Sequence, residues 1–193
     1  MSKAKEYLSF FLAAAAKPWK MGAIAPSSRE LAETMLQRLP IGTSETVVEI
    51  GPGTGAITEL ILTRLKDPSQ YLGLDINPDF IETLKKRFPG VNFQKDSAEN
   101  LGEHFKDKKG PNYIVCSLPW TMWSDKQQTK LLNSILAPLV SGGTFVTFAY
   151  WPTLHAPAGQ KFKKLLGQTI TKIETSPIVW KNIPPAVTYL GSK

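Results

Sequence analysis

The run Thr46-Val47-Val48-Glu49-Ile50 stops at Gly51-Pro52-Gly53-Thr54-Gly55, and apolar residues then recur at helical spacing over 57–65. β-Branched residues suit a pleated, half-buried surface, and glycines let a chain turn sharply where a Cβ would collide. A strand passing through such a turn into a helix opens a strand–helix–strand unit, which implies a parallel sheet. With Ala56 the loop reads G-x-G-x-x-A, a relaxed form of the fingerprint that brings backbone close to a nucleotide. An ordinary glycine-rich strand–helix turn is the other reading.

The alternation continues down the chain. Strands are expected at 71–75, 91–94, 112–117, 143–148, 170–180 and 186–190, with Asn182-Ile183-Pro184-Pro185 joining the last two. Helices are expected at 78–88, 126–139 and around 160–166. This pattern predicts an α/β fold, Rossmann-like, with a seven-stranded mostly parallel sheet and helices on both faces. Residues 41–193 form the core, and 193 residues suit one core better than two small ones. Residues 1–40 read as an N-terminal helical segment. In it Tyr7, Phe10, Phe11 and Leu12 crowd a helix that Lys17-Pro18-Trp19-Lys20 interrupts. Ser27 and Glu30 then have capping-box spacing before Leu31, Met35, Leu36 and Leu39.

Two acidic residues follow the next two strands. Asp75, with Ile76 beside it, stands where a carboxylate can accept bonds from both ribose hydroxyls; helix capping there falls better to Asn77. Asp96, before Ser97 and Ala98, faces an adenine amino group or caps the short helix after it. The Glu49-to-Gly55 loop, Asp75 and Asp96-Ser97-Ala98 resemble the first three motifs of the class I S-adenosylmethionine-dependent methyltransferases, over about residues 46–148. The resemblance implies S-adenosyl-L-methionine as cofactor. It would lie along Glu49, Gly51, Gly53, Thr54 and Gly55 and beside Ile76, Ser97, Ala98 and Ser117, with Asp75 at its ribose and Asp96 at its adenine.

The fourth strand ends in Ser117-Leu118-Pro119-Trp120, similar to the N-L-P-[YF] segment of adenine-N6 methyltransferases, including the ribosomal RNA adenine dimethylases. There the first residue and a main-chain carbonyl accept bonds from the target amine, and the aromatic stacks on the base. Ser117 and Trp120 depart from that pattern. A tryptophan face can instead hold an alkylammonium by cation–π attraction, or simply anchor the loop. The apolar-basic N-terminus, the 21–28 segment, the glycine loop and Ser117-Leu118-Pro119-Trp120 together resemble the bacterial phospholipid N-methyltransferases. That likeness implies stepwise methylation of phosphatidylethanolamine towards phosphatidylcholine. RNA adenine N6-methylation is the alternative, and a binding module without turnover the non-enzymatic one.

Charge enters as a tie-breaker. A net charge of +7 favours phosphate-rich partners. Tryptophans at 120, 123, 151 and 180 fall at the expected active edge, where rings suit a membrane interface as well as nucleic-acid stacking. Ser27, Ser28 and Arg29 at a helix start, and Trp180, Lys181 and Asn182, are the candidate substrate and phosphate contacts. Capping is the competing role at the helix start. Ser117, Leu118, Trp120, Tyr150 and Tyr189 are the candidate catalytic residues, with His155 a further proton acceptor or an ordinary exposed histidine. No metal cluster is visible, and Cys116 in its apolar run reads as a buried thiol. The expected partners are an anionic membrane surface and a phospholipid, with nucleic acid less favoured and no obligate protein partner. The expected place is cytoplasmic, peripheral on the inner membrane face.

Overall fold

The computed structural model describes residues 27–42 and 45–193. The apolar-basic helix expected before residue 17 and the 21–26 stretch lie outside the described residues.

Among the described residues seven strands make one sheet: β1 (Val47–Ile50), β2 (Tyr71–Asp75), β3 (Phe93–Lys95), β4 (Tyr113–Cys116), β5 (Thr144–Tyr150), β6 (Thr171–Thr175) and β7 (Ala186–Ser192). Their order is β3-β2-β1-β4-β5-β7-β6. The first five are mutually parallel; β7 runs antiparallel to β5 and β6 antiparallel to β7. Five helices accompany them: α1 (Arg29–Leu36), α2 (Ala56–Arg64), α3 (Pro78–Arg87), α4 (Asp125–Leu136) and α5 (Pro157–Thr169). This is the expected seven-stranded Rossmann-like sheet.

The inner strands are apolar on both faces because helices cover both. On one face Val48, Ile50, Ile114, Cys116 and Phe145 pack with Leu132 and Ile135 of α4 and Phe162 and Leu166 of α5. On the other, Val47, Val115 and Val146 pack with Met35 of α1, Ile61 of α2 and Leu84 of α3. Leu31, Ala32, Met35 and Leu36 are fully buried, so α1 belongs to the same core as the sheet. Cys116 is a buried free thiol, and burial pushes it up to about 12.

Local chemistry sets the helix starts. Asn77 caps α3 by accepting from Asp79 N–H, with Pro78 as first helical residue. Ser124 and Gln127 form a reciprocal capping box at α4. At α1 the sequence reading is corrected by one residue. Ser28, not Ser27, is the cap, with its Oγ accepting from Leu31 N–H at 3.1 Å.

The strand expected over 170–180 is also corrected. Regular pairing ends at Thr175, because Pro177 has no N–H to donate to a ladder. Ser176 and Thr188 still exchange bonds there, and Val179 makes one isolated bridge to Ala186.

Candidate active site

The carboxyl ends of the parallel strands form one edge, where an open α/β sheet binds its ligands. There Gly51 N–H donates to Leu74 carbonyl at 2.8 Å, and Gly55 N–H closes a turn on Pro52 carbonyl at 2.9 Å. Gly53 and Gly55 have φ of +55° and +87°, in the left-handed region that L side chains rarely enter. They do different jobs. A Cβ on Gly55 would lie 2.9 Å from both Leu84 Cδ2 and Phe88 Cε2, so this glycine lets α3 close on the loop. A Cβ on Gly53 would meet nothing within 4 Å, so here bare backbone borders open space that a ligand can fill. Thr54 is exposed, and Arg87 holds the loop from behind by donating to its carbonyl at 2.8 Å.

Asp75 joins this loop to the end of β2. Its Oδ2 accepts from Gly53 N–H at 3.2 Å and its Oδ1 from Asn77 N–H at 2.9 Å. The carboxyl is nearly buried, and burial raises its pKa against the pull of those amides. Ile76 next to it keeps 39% of its surface exposed, an apolar platform at the strand edge.

Glu49 sits deeper than a loop-lining role requires. It is fully buried below the glycines, and its Oε2 accepts from Tyr71 hydroxyl at 2.6 Å and Thr58 hydroxyl at 2.7 Å. Its Oε1 has no partner among the described residues. Burial pushes the carboxyl up to about 7, against the two hydrogen bonds.

At Asp96 one sequence alternative falls away, because the following 3-10 segment (Ala98–Phe105) is capped by Ser97 accepting from Glu99 N–H. Asp96 Oδ1 instead accepts from Ser97 N–H and Asn100 Nδ2, both at 2.7 Å, and Oδ2 from His104 Nε2 at 2.8 Å. Partial burial pushes its carboxyl up, but the bonds from Asn100, His104 and Ser97 outweigh that and hold it below the ordinary range. Asp96 N–H donates to Asp75 carbonyl at 3.1 Å, so the two acidic positions are adjacent. Sequence reasoning missed Asn100 and His104. Their spacing of four and eight residues from Asp96 was the available signal.

Ser117 N–H donates to Ile50 carbonyl at 2.9 Å, which sets the residue beside the glycine loop. A Cβ on Gly51 would lie 3.4 Å from Leu118 Cδ2 and 3.9 Å from Ser117 carbonyl oxygen. The buried Oγ of Ser117 has no partner among the described residues. Trp120, in contrast, is 2% exposed. Its Nε1–H donates to Thr147 Oγ1 at 2.9 Å, and its ring stacks on Phe162 at 4.6 Å. The expectation of an open cation-binding face is therefore corrected: Trp120 anchors the loop. Buried Gln128, not anticipated from sequence, ties down the same loop by donating to the carbonyls of Trp120 and Trp123.

The two tyrosines do not supply a base. Burial pushes both Tyr150 and Tyr189 above the ordinary phenol value, so each keeps its proton near neutrality. Tyr189 pairs with Thr147, three residues back from the end of β5, and packs edge-on to Phe162 under α5. His155 is exposed.

The phosphate candidates do meet, across 154 positions of chain: Ser28 N–H donates to Asn182 Oδ1 at 2.9 Å. Asn182 is 2% exposed, and its Nδ2 donates to Pro184 carbonyl at 2.6 Å, so this amide is an internal clamp. Lys181 pairs with Glu30 and Arg29 with Glu33. These groups are spent on one another, which corrects the expectation of an anion cradle at 27–29. Ser27 is half-buried. Trp180 stands clear, 64% exposed.

Similarity to known proteins points to one family. A family model described as a methyltransferase domain matches residues 47–143, half of the chain. The ornithine lipid N-methyltransferase of Singulisphaera acidiphila is 26% identical over 174 residues, 88% of this chain and 86% of that protein. A ribosomal RNA small subunit methyltransferase A of Hydrogenobaculum sp. is 26% identical over 98 residues, 50% of this chain and 36% of that protein. Among solved structures, the N-methyltransferase NodS from Bradyrhizobium japonicum WM9 in complex with S-adenosyl-L-homocysteine superposes with a TM-score of 0.70. It is 16% identical, over 97% of this chain and 98% of that one.

Proposed function

The chain belongs to the methyltransferase domain family, and from that premise we propose that it methylates the amine of a membrane lipid, using S-adenosylmethionine. Phosphatidylethanolamine and its mono- and dimethyl forms are the acceptors we infer, leading towards phosphatidylcholine. The observation that carries this is one of extent. The likeness to an ornithine lipid N-methyltransferase runs through nearly the whole of both chains, whereas the ribosomal RNA enzyme is matched over about a third of its length.

The cofactor's demands match the residues present. Gly53 leaves room against bare backbone, Asp75 offers a carboxylate to a ribose, Ile76 an apolar face to a base, and Asp96 an acceptor to an amino group. When bound, the cofactor supplies an electrophilic methyl group on a sulfonium.

What this chain does is position the acceptor. Ser117 Oγ, without a partner, can accept an N–H of the incoming amine and aim its lone pair. Leu118 packs towards Gly51 and helps keep water out. An amine must be neutral to attack. With Tyr150 and Tyr189 both retaining their protons, before transfer the amine's proton leaves to water or to another weak base such as exposed His155.

The test is transfer of label from methyl-labelled S-adenosylmethionine to vesicles carrying phosphatidylethanolamine or ornithine lipid, with products separated by headgroup. Labelled mono- and dimethylated lipid is expected. Labelling of ribosomal RNA but of no lipid would assign the chain to RNA adenine methylation instead.

A further inference from the structure

Beyond the cofactor cleft, the edge of the sheet carries a second surface at its β6 end. Trp151, Trp180 and Ile183 are 37%, 64% and 74% exposed, unusual for residues of this size. They do not hang on a loose loop. Ser28 grips Asn182, Trp151 N–H donates to Pro185 carbonyl at 2.7 Å, and Val179 bridges to Ala186. The two indoles lie 5.5 Å apart, and with Ile183 on the same braced segment as Trp180 they make a ledge.

Beside it is a groove of about 620 Å³, lined by His155, Lys163, Lys164, Thr175 and Tyr189, among others. The ledge and groove are continuous, since the ring of His155 is 6.3 Å from that of Trp151. Lys163 and Lys164 lie on one face of α5 with Gln160, at helical spacing. No lining residue is acidic, and the nearest acid in sequence, Glu174, is paired with Arg38. Exposed Lys163 and Lys164 have no carboxylate partner among the described residues, unlike Lys181 past Trp180, which pairs with Glu30.

Exposed indoles and an aliphatic side chain beside unpaired lysines match the layer of a bilayer where apolar chains meet phosphates. We propose that the Trp151–Trp180–Ile183 ledge and the basic groove beside it dock the protein on a bilayer containing anionic phospholipid, with a headgroup phosphate in the groove. The site is separate from the methyl-transfer cleft and turns the sheet's carboxyl edge towards the membrane. The proposal rests on the lipid reading above for its biological sense, but its support is the surface itself.

The experiment is vesicle co-sedimentation of the full chain, read as binding rather than turnover. Vesicles are phosphatidylcholine alone or mixed with phosphatidylglycerol. The native chain is expected to bind the anionic mixture and to leave neutral vesicles largely unbound. The variants Lys163→Glu/Lys164→Glu and Trp180→Ala/Ile183→Ser should each bind about tenfold more weakly. Lipids brominated on the acyl chain should quench native tryptophan emission, less so in Trp180→Phe. Lys163→Glu/Lys164→Glu should keep native turnover on a water-soluble, short-chain phosphatidylethanolamine, which shows that it folds.

Equal vesicle binding by native and variant chains overturns the proposal. So does loss of RNA binding in Lys163→Glu/Lys164→Glu with vesicle binding intact. If the native chain methylates no lipid but the variants still lose vesicle binding, the acceptor reading fails while the docking surface stands.

Discussion

Tyr71 donates its hydroxyl to Glu49 Oε2 at 2.6 Å, tying β2 to β1 directly beneath the glycine loop. Thr58 at the start of α2 donates to the same oxygen, so strand, strand and helix meet on one buried carboxyl. That arrangement makes the fold sensitive to pH in a calculable sense. The carboxyl's ordinary value is 4.5, and burial pushes it up to about 7 in the folded chain. Between these values the folded state holds a proton that the unfolded state has released. Stability therefore falls as pH rises through that window and levels off above it, by about 3 kcal/mol in all. Glu49→Gln cannot ionise, so the stability of the native chain relative to this variant should fall by that amount across the window. Urea unfolding of both chains between pH 4 and 8, a range set by the folded and unfolded values, checks this. A pH-independent difference would contradict it.

Gly53 and Gly55 should separate binding from folding. Alanine at either position incurs about 1–2 kcal/mol for left-handed backbone. At Gly55 the new methyl also collides with Leu84 and Phe88, so Gly55→Ala should lose about 3 kcal/mol of stability. At Gly53 the methyl enters open space, so Gly53→Ala should lose only the backbone term. Its affinity for S-adenosylhomocysteine should nevertheless fall about tenfold, since backbone can no longer approach the ligand. Thermal unfolding beside calorimetric titration distinguishes the two.

Trp120 offers a contrast between packing and catalysis. Trp120→Phe retains the stacking on Phe162 but deletes the donor to Thr147. A loss of about 1–2 kcal/mol is expected. Trp120→Ala should lose about 3–5 kcal/mol. In Trp120→Phe the KM for the lipid acceptor should stay close to native; a large rise in KM would put the ring back against the substrate.

Ser117→Ala should behave in the opposite way. The hydroxyl it removes is buried without a partner, so folding stability should hold steady or rise slightly. Turnover should fall about tenfold, the worth of one hydrogen bond to the amine. Affinity for S-adenosylhomocysteine should change much less. Unaltered kcat would remove Ser117 from the mechanism.

The sequence alone determined the strand–loop–helix at Thr46 to Gly55, the acidic strand ends at Asp75 and Asp96, and the alternation that becomes a seven-stranded sheet. These are local patterns: side-chain period, glycine where φ must be positive, a carboxylate where a strand stops. Periodicity also found the apolar face of α1, but the cap moved from Ser27 to Ser28. Capping depends on backbone dihedrals, which neighbouring serines do not distinguish in a sequence. What tertiary structure decided was which polar groups are already spent. Trp120 looked like a binding face until Phe162 and Thr147, from α5 and β5, were seen to occupy it. Asn182 looked like a phosphate ligand until Ser28, 154 positions away, was found on its oxygen. Glu49 looked like part of the loop until Tyr71 and Thr58 closed over it. A side chain's availability depends on partners remote in sequence, and folding alone brings those partners to it.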